Sequence, residues 1–208
     1  MNSKVYCRII LIFTLILGLS GCTSDSSSES LKKLAATEVK EYQGEKLSSI
    51  MDFKENSIKG PQYIDINNYK LKVDGLVEKP SEFTYDEILA NTKYTKVVTL
   101  TCVDGWSVTI LWEGVLLKDI LDKVKVKSDA QTVVFYAVDG YSTSLSLKTV
   151  LEKNMIIAYK MNNVVLPPER GFPFQLVAED KLGYKWIKWI THIELSNDPN
   201  YIDYSPNK

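Results

Sequence analysis

Between Thr95 and Val103 nearly every residue is β-branched or apolar. Such side chains crowd a helix and pack well on a pleated surface, so the run predicts a strand covered on both faces, around which the rest of the chain must be arranged. Tyr69, Leu71 and Val73 alternate with Lys70, Lys72 and Asp74 before Gly75, the pattern of a half-buried strand and its turn. Thr84-Tyr85-Asp86-Glu87 has the form of a capping box and predicts a short helix through Leu89. Leu117, Ile120, Leu121 and Val124 fall on one face of a second helix, and Leu147 to Asn154 reads as a third. Gln131 to Val138 is another buried strand, closed by the turn Asp139-Gly140-Tyr141. Met155 to Tyr159 and Val164 to Leu166 form a hairpin around Asn162-Asn163, which Pro167-Pro168 ends. Phe174 to Ala178 and Trp189 to Leu195 are the last strands. Helices and strands do not alternate strictly and no segment repeats. The expected class is α+β, a mixed and mostly antiparallel sheet with short helices, occupying residues 61–198 and followed by a tail at 199–208.

The first residues read differently. Lys4 and Arg8 precede an apolar run from Ile9 to Leu17, and Gly18, Ser20 and Gly21 follow. This is an export signal over residues 1–21, since the run is shorter than the roughly 20 residues a permanent span needs. It ends in Leu19-Ser20-Gly21-Cys22, which resembles the bacterial lipobox, so Cys22 is expected to carry lipid. The mature chain would then sit on the outer side of a bacterial or archaeal cell membrane without crossing it. Residues 22–60 are expected as a flexible tether, serine-rich from Thr23 to Ser30, leading into an irregular arm packed on the domain.

The charge balance excludes some partners. The chain has 25 Lys and Arg against 26 Asp and Glu, with no basic run beyond Lys32-Lys33, so no nucleic-acid partner is expected. Gly-x-Gly-x-x-Gly and the phosphate-binding Gly-x-x-x-x-Gly-Lys-Ser/Thr loop are both missing. One histidine and few cysteines cannot build a zinc tetrahedron. His192, in a strand with Ile190 and Glu194 on its face, reads as a hydrogen-bonded strand residue. Pairing it with Cys102 as a thiol enzyme finds no placed base and orienting group.

Of three cysteines, Cys7 leaves with the signal, Cys22 carries lipid, and Cys102 survives as a free thiol. It stands in Thr101-Cys102-Val103-Asp104-Gly105-Trp106-Ser107, where the buried strand ends. Two readings are open: a small buried filler, or a thiolate facing a cleft, the soft ligand that transition metals favour.

Three further segments accompany it in order: Asp139-Gly140-Tyr141-Ser142-Thr143-Ser144-Leu145, Leu166-Pro167-Pro168-Glu169-Arg170-Gly171-Phe172-Pro173-Phe174, and Gly183-Tyr184-Lys185-Trp186-Ile187-Lys188-Trp189. Together these resemble the molybdopterin-binding domain of the sulfite oxidase family, which includes the bacterial methionine sulfoxide reductase catalytic subunit. The likeness runs from about Tyr69 to Leu195. It implies molybdenum on a molybdopterin, with Cys102 as the single protein thiolate, and oxygen-atom transfer to or from a small sulfur- or nitrogen-oxide substrate. It implies that Tyr141 lines the substrate side and that Arg170, Gln175, Gly183, Tyr184 and Lys185 lie along the cofactor, with Lys185 on its phosphate. Trp186 and Trp189 are expected to pack. A separate electron-transfer partner is required, because the heme and dimerisation domains of larger relatives do not fit in the 187 residues that remain after the signal.

The chain also departs from the family pattern. Gln175 stands where most members have arginine, no arginine follows Cys102 within Val103 to Trp106, and the leader holds one arginine rather than the pair used to export folded, cofactor-loaded proteins. Sulfite is therefore a poor expected substrate. The alternative is a binding or scaffold lipoprotein that keeps the fold without the metal.

Overall fold

The computed structural model describes residues 23–203, so the expected signal and Cys22 lie outside the described residues. The N-terminal part holds α1 (Thr23–Ala35) and a small hairpin of β1 (Glu41–Tyr42) and β2 (Glu45–Lys46). There follow β3 (Leu71–Gly75), β4 (Ser81–Phe83), α2 (Tyr85–Leu89), β5 (Lys93–Thr101), β6 (Ser107–Leu116) and α3 (Leu117–Val124). The second half contains β7 (Thr132–Ala137), β8 (Ser142–Ser146), α4 (Leu147–Glu152), β9 (Ile156–Met161), β10 (Val164–Val165), β11 (Gln175–Val177) and β12 (Ile190–Ser196).

Two five-stranded sheets result. One runs β10-β9-β6-β5 with β11 also paired to β9, and the other runs β4-β3-β12-β7-β8. Every strand pair is antiparallel except β3 with β12. One apolar core draws on both sheets and on the inner faces of α2, α3 and α4, with Trp112, Phe135, Phe174 and Leu117 fully buried. The α+β class is as expected, and so are several local signals. Thr84 Oγ1 accepts from the Glu87 amide while the Glu87 carboxylate accepts from the Thr84 amide, closing the capping box on α2. Asn162 and Asn163 both take positive φ, 44° and 66°, the geometry of a tight two-residue hairpin turn between β9 and β10.

Three expectations are corrected. The strand at Thr95 is not covered on both faces: β5 is an edge strand that buries Val98 and Leu100 and exposes Lys93, Thr95, Thr99 and Thr101. Its partner is β6, the longest strand among the described residues, for which the sequence carries no single clear period. The serine-rich segment expected as a flexible tether is helical within α1, whose Leu31 joins the core. A register shift between Ile190 and His192 also breaks the alternation of β12. Ile190 therefore turns inward while His192 stays near the surface, bonded to Asp74 at 2.5 Å and stacked on Tyr136.

Candidate functional site

The site forms where the β5–β6 hairpin turns. Thr101 pairs with Ser107, the Cys102 amide donates to the Trp106 carbonyl at 2.9 Å, and the Gly105 amide donates to the Cys102 carbonyl at 3.1 Å. Gly105 has φ +83°, which a side chain would resist, so the tight turn after Cys102 depends on this glycine. Across from it, Leu182 makes a parallel bridge to Thr101 and starts the 3-10 turn Gly183–Lys185. A Cβ on Gly183 would stand 3.3 Å from the Cys102 Cα, so a side chain there would push the two chain segments apart by a few tenths of an ångström. Cys102 is buried, with the Asn56 amide nitrogen and an Asp104 carboxylate oxygen each 3.8 Å from Sγ.

Cys102 sits in the wall between two cavities. The larger, about 250 Å³, takes Cys102, Tyr141, Gly183, Tyr184, Trp186 and Lys188 among its lining residues, and Asn56, Ser57, Asp139 and Trp189 complete much of it. The smaller, about 40 Å³, is bounded by Cys102, Trp106, Arg170, Gln175, Gly183 and Lys188. Two buried polar atoms on the smaller cavity, Trp106 Nε1 and Gln175 Oε1, have no hydrogen-bond partner in the protein. Unmet groups of this kind cost free energy unless something else satisfies them.

The charges are concentrated on one network. Lys188 Nζ lies 3.0 and 3.2 Å from the two Glu55 carboxylate oxygens and 4.3 Å from the Trp189 ring centre. Arg170 donates from Nε to the Ile50 carbonyl at 3.1 Å, reaches the Phe53 carbonyl, and places Nη1 3.8 Å from Glu55. Burial pulls both cations below their ordinary pKa, against the pull of Glu55. Burial would raise the Glu55 carboxyl, but Lys188 and the bonds from Ser57 outweigh it and hold it below its usual value. Tyr141 donates its hydroxyl to the Tyr184 carbonyl at 2.6 Å. Burial, and after it the nearby Asp203 carboxylate, pushes this phenol up to about 12, so it keeps its proton at neutral pH.

The structure brings Cys102, Tyr141, Gly183 and Tyr184 to one cavity, and Arg170 and Gln175 to its neighbour. Lys185 lies on neither: its ammonium bonds the Ser144 carbonyl at 2.9 Å and Asp203 at 2.6 Å. His192 lines neither cavity, so it is not a partner for Cys102. Glu55 and Asn56 lie outside the motifs that carry the resemblance, and Lys188 and Trp106 lie inside them with no role expected. Lys188 was within reach, three residues beyond Lys185, but only the 3-10 turn and the positive φ of Trp189 decide which lysine faces inward. Residues 50–57 show no periodicity, so nothing in the sequence marked them.

A family model for the oxidoreductase molybdopterin binding domain matches residues 58–202. The chain belongs to this family. Among its relatives, the uncharacterised oxidoreductase YuiH of Bacillus subtilis is 33% identical over 139 residues, 66% of this chain and 70% of that protein. YedZ1 of Azospira oryzae, provisionally named as a protein-methionine-sulfoxide reductase subunit, is 34% identical over 64% of this chain and 51% of its own length. The sulfane dehydrogenase SoxCD of Paracoccus pantotrophus has the same fold, with TM-score 0.64 at 22% identity over 67% of this chain and 41% of that one. The chain thus spans most of YuiH and about half of YedZ1.

The residues present fit the family's molybdopterin. The site offers a buried soft sulfur, a free indole donor, a free amide acceptor, one buried cation and one partly buried cation. Among the described residues no group of three or more His, Cys, Asp or Glu stands ready to hold a metal.

Proposed function

We propose that this chain is a molybdopterin-dependent oxidoreductase that moves an oxygen atom to or from a small sulfur- or nitrogen-oxide substrate. Cys102 supplies the protein's ligand to the molybdenum. Lipid on Cys22 holds the enzyme on the outer side of the cell membrane, and a separate protein exchanges electrons with it. The observation that carries the reading is the position of the Cys102 thiol, buried in the wall shared by two cavities, the smaller of which is lined by two buried polar atoms, Trp106 Nε1 and Gln175 Oε1, without partners. When bound, the cofactor supplies the two-electron redox chemistry and the oxygen-atom exchange.

The protein residues bind, orient and shield. Trp106 Nε1 and Gln175 Oε1 would offer a donor and an acceptor to the cofactor, and Arg170 and Lys188 would offer charge to its anionic groups. Trp186 and Trp189, both buried, exclude water from the larger cavity. The Tyr141 phenol stays protonated, and its bond to the Tyr184 carbonyl fixes the exposed Tyr184 at the cavity wall, on the side open to substrate. The absence of arginine between Val103 and Trp106 favours a neutral oxide over sulfite.

The test is oxidation of reduced viologen by a sulfoxide or an N-oxide, using full chain produced in a host that makes molybdopterin. Cys102→Ser is expected to lower turnover at least about a hundredfold with an unchanged near-ultraviolet circular dichroism spectrum. Equal turnover in that variant would end the assignment of Cys102 as the molybdenum ligand, and a wild-type chain with neither turnover nor molybdenum would leave a binding or scaffold lipoprotein.

A further inference from the structure

The family match begins at residue 58, yet the segment just before it reaches the site. Its far end is fixed. The buried Glu38 carboxylate accepts from the Ser49 hydroxyl at 2.6 Å, the Ile50 amide at 2.9 Å and the Asn162 side chain at 3.0 Å. From there residues 50–57 lie across the smaller cavity as a strap. The Ile50 and Phe53 carbonyls accept from Arg170, Glu55 pairs with Lys188, and Asn56 stands near the Cys102 sulfur. The strap itself is open to solvent, with Met51, Asp52, Lys54, Glu55 and Asn56 all exposed.

One carboxylate, Glu55, is in ion-pair contact with both cations, while Glu169 acts on Arg170 and Asp139 on Lys188. Arg170 is buried and Lys188 partly buried, like charges of which Arg170 disfavours the charged Lys188, and the carboxylate that is bonded to Lys188 and lies 3.8 Å from Arg170 belongs to an exposed segment. Lys54 and Glu169 also border the small cavity, and Asp139 acts on Lys188 from the larger one. A carboxylate offers one negative charge here. A phosphoryl group offers nearly two, with three acceptor oxygens, and competes for two neighbouring cations on better terms.

We infer that Glu55 is a positioning residue for the cofactor. It is a strap-borne stand-in anion that holds Arg170 and Lys188 in place and gives way to the phosphoryl group of the cofactor, so that loading the site frees the strap around Lys54. The inference rests on the cofactor reading above, which supplies the phosphoryl group. It concerns a residue outside the matched domain, and it predicts a change in the chain that a purely structural ion pair would not produce.

The experiment uses full chain from a host unable to make molybdopterin, with inorganic pyrophosphate as the probe and sodium chloride at matched ionic strength as the control. Brief trypsin digestion, followed by mass spectrometry, reads cleavage after Lys54. Pyrophosphate is expected to speed that cleavage in the wild-type chain about tenfold while chloride leaves it unchanged. Chain loaded in a competent host is expected to show the fast rate without added pyrophosphate. Glu55→Gln is expected to cut fast from the start and to bind pyrophosphate about tenfold more tightly. Lys188→Gln is expected to give no response.

Wild-type cleavage that pyrophosphate leaves unchanged or slows overturns the inference without recourse to any variant. Equal pyrophosphate affinity in wild type and Glu55→Gln overturns it as well. Molybdenum bound in the loaded chain with no change at Lys54 overturns this inference alone. A pyrophosphate response in a chain that never takes up molybdenum supports anion exchange at Glu55, with free phosphate as its source, and overturns the oxidoreductase reading instead.

Discussion

Three side chains do most to decide what the site can be. Cys102 provides the only free thiol among the described residues, and the turn that presents it is set by two backbone bonds and by Gly105. Tyr141 spends its proton on the Tyr184 carbonyl, so Tyr141→Phe removes that bond without emptying the space. The expected result is a loss of about 1 kcal/mol in stability and a rise in KM with little change in kcat, read by thermal melts and steady-state kinetics. Glu55 titrates below its ordinary 4.5, so as the pH falls the unfolded chain takes up this proton before the folded chain does. The stabilisation from Glu55 is therefore complete above its unfolded value and is lost as the pH drops through the lower folded value. Because the carboxylate is partly exposed, the effect is modest. Thermal melts between about pH 6 and pH 3 are expected to fall less steeply for Glu55→Gln than for wild type. Parallel curves would show that the carboxylate is not held as described.

The elements that build the site were legible to different degrees. The capping box at Thr84, the turn at Asn162-Asn163 and the apolar face of α3 are local signals, fixed by a few neighbours in sequence, and the structure has them where the residues say. The run at Thr95 was legible as a strand but not as an edge, because exposure depends on which strand lies beside it. Its partner β6 changes pattern along its length, alternating from Ser107 to Ile110 and then continuously buried from Leu111 to Leu116 with Glu113 and Gly114 inside the run, so no one period covers it. The cluster around Cys102 was read from ordered motifs and the structure does bring most of it together. Lys185 and Lys188 were told apart only by backbone turns, and the strap only by long-range contacts through Glu38 and Arg170. Glu38 is where the strap is testable as an element. Glu38→Ala leaves buried donors on Ile50 and Asn162 unmet and is expected to cost about 3 kcal/mol, measured by denaturant unfolding. A loss under about 1 kcal/mol would mean that the strap is not anchored there.

At the scale of the whole molecule, two sheets share a core and leave one end, where the β5–β6 turn, the β7–β8 turn and the Gly183 segment converge, for chemistry. The family supplies the cofactor, while the strap and the expected lipid at Cys22 come from residues before the matched segment. If Cys22 holds the chain on the membrane, Cys22→Ser is expected to move the protein from the membrane pellet to the soluble fraction while leaving turnover intact. Continued sedimentation of that variant with membranes would point to a different anchor. The central claim is that this chain carries molybdenum through Cys102. The measurement that tests it most directly is elemental analysis for molybdenum, with fluorescence of the oxidised pterin, on wild-type and Cys102→Ser protein extracted from native membranes. The account predicts about one molybdenum per wild-type chain and little in the variant. Wild-type protein with neither metal nor pterin, or a Cys102→Ser variant as fully loaded as wild type, would contradict it.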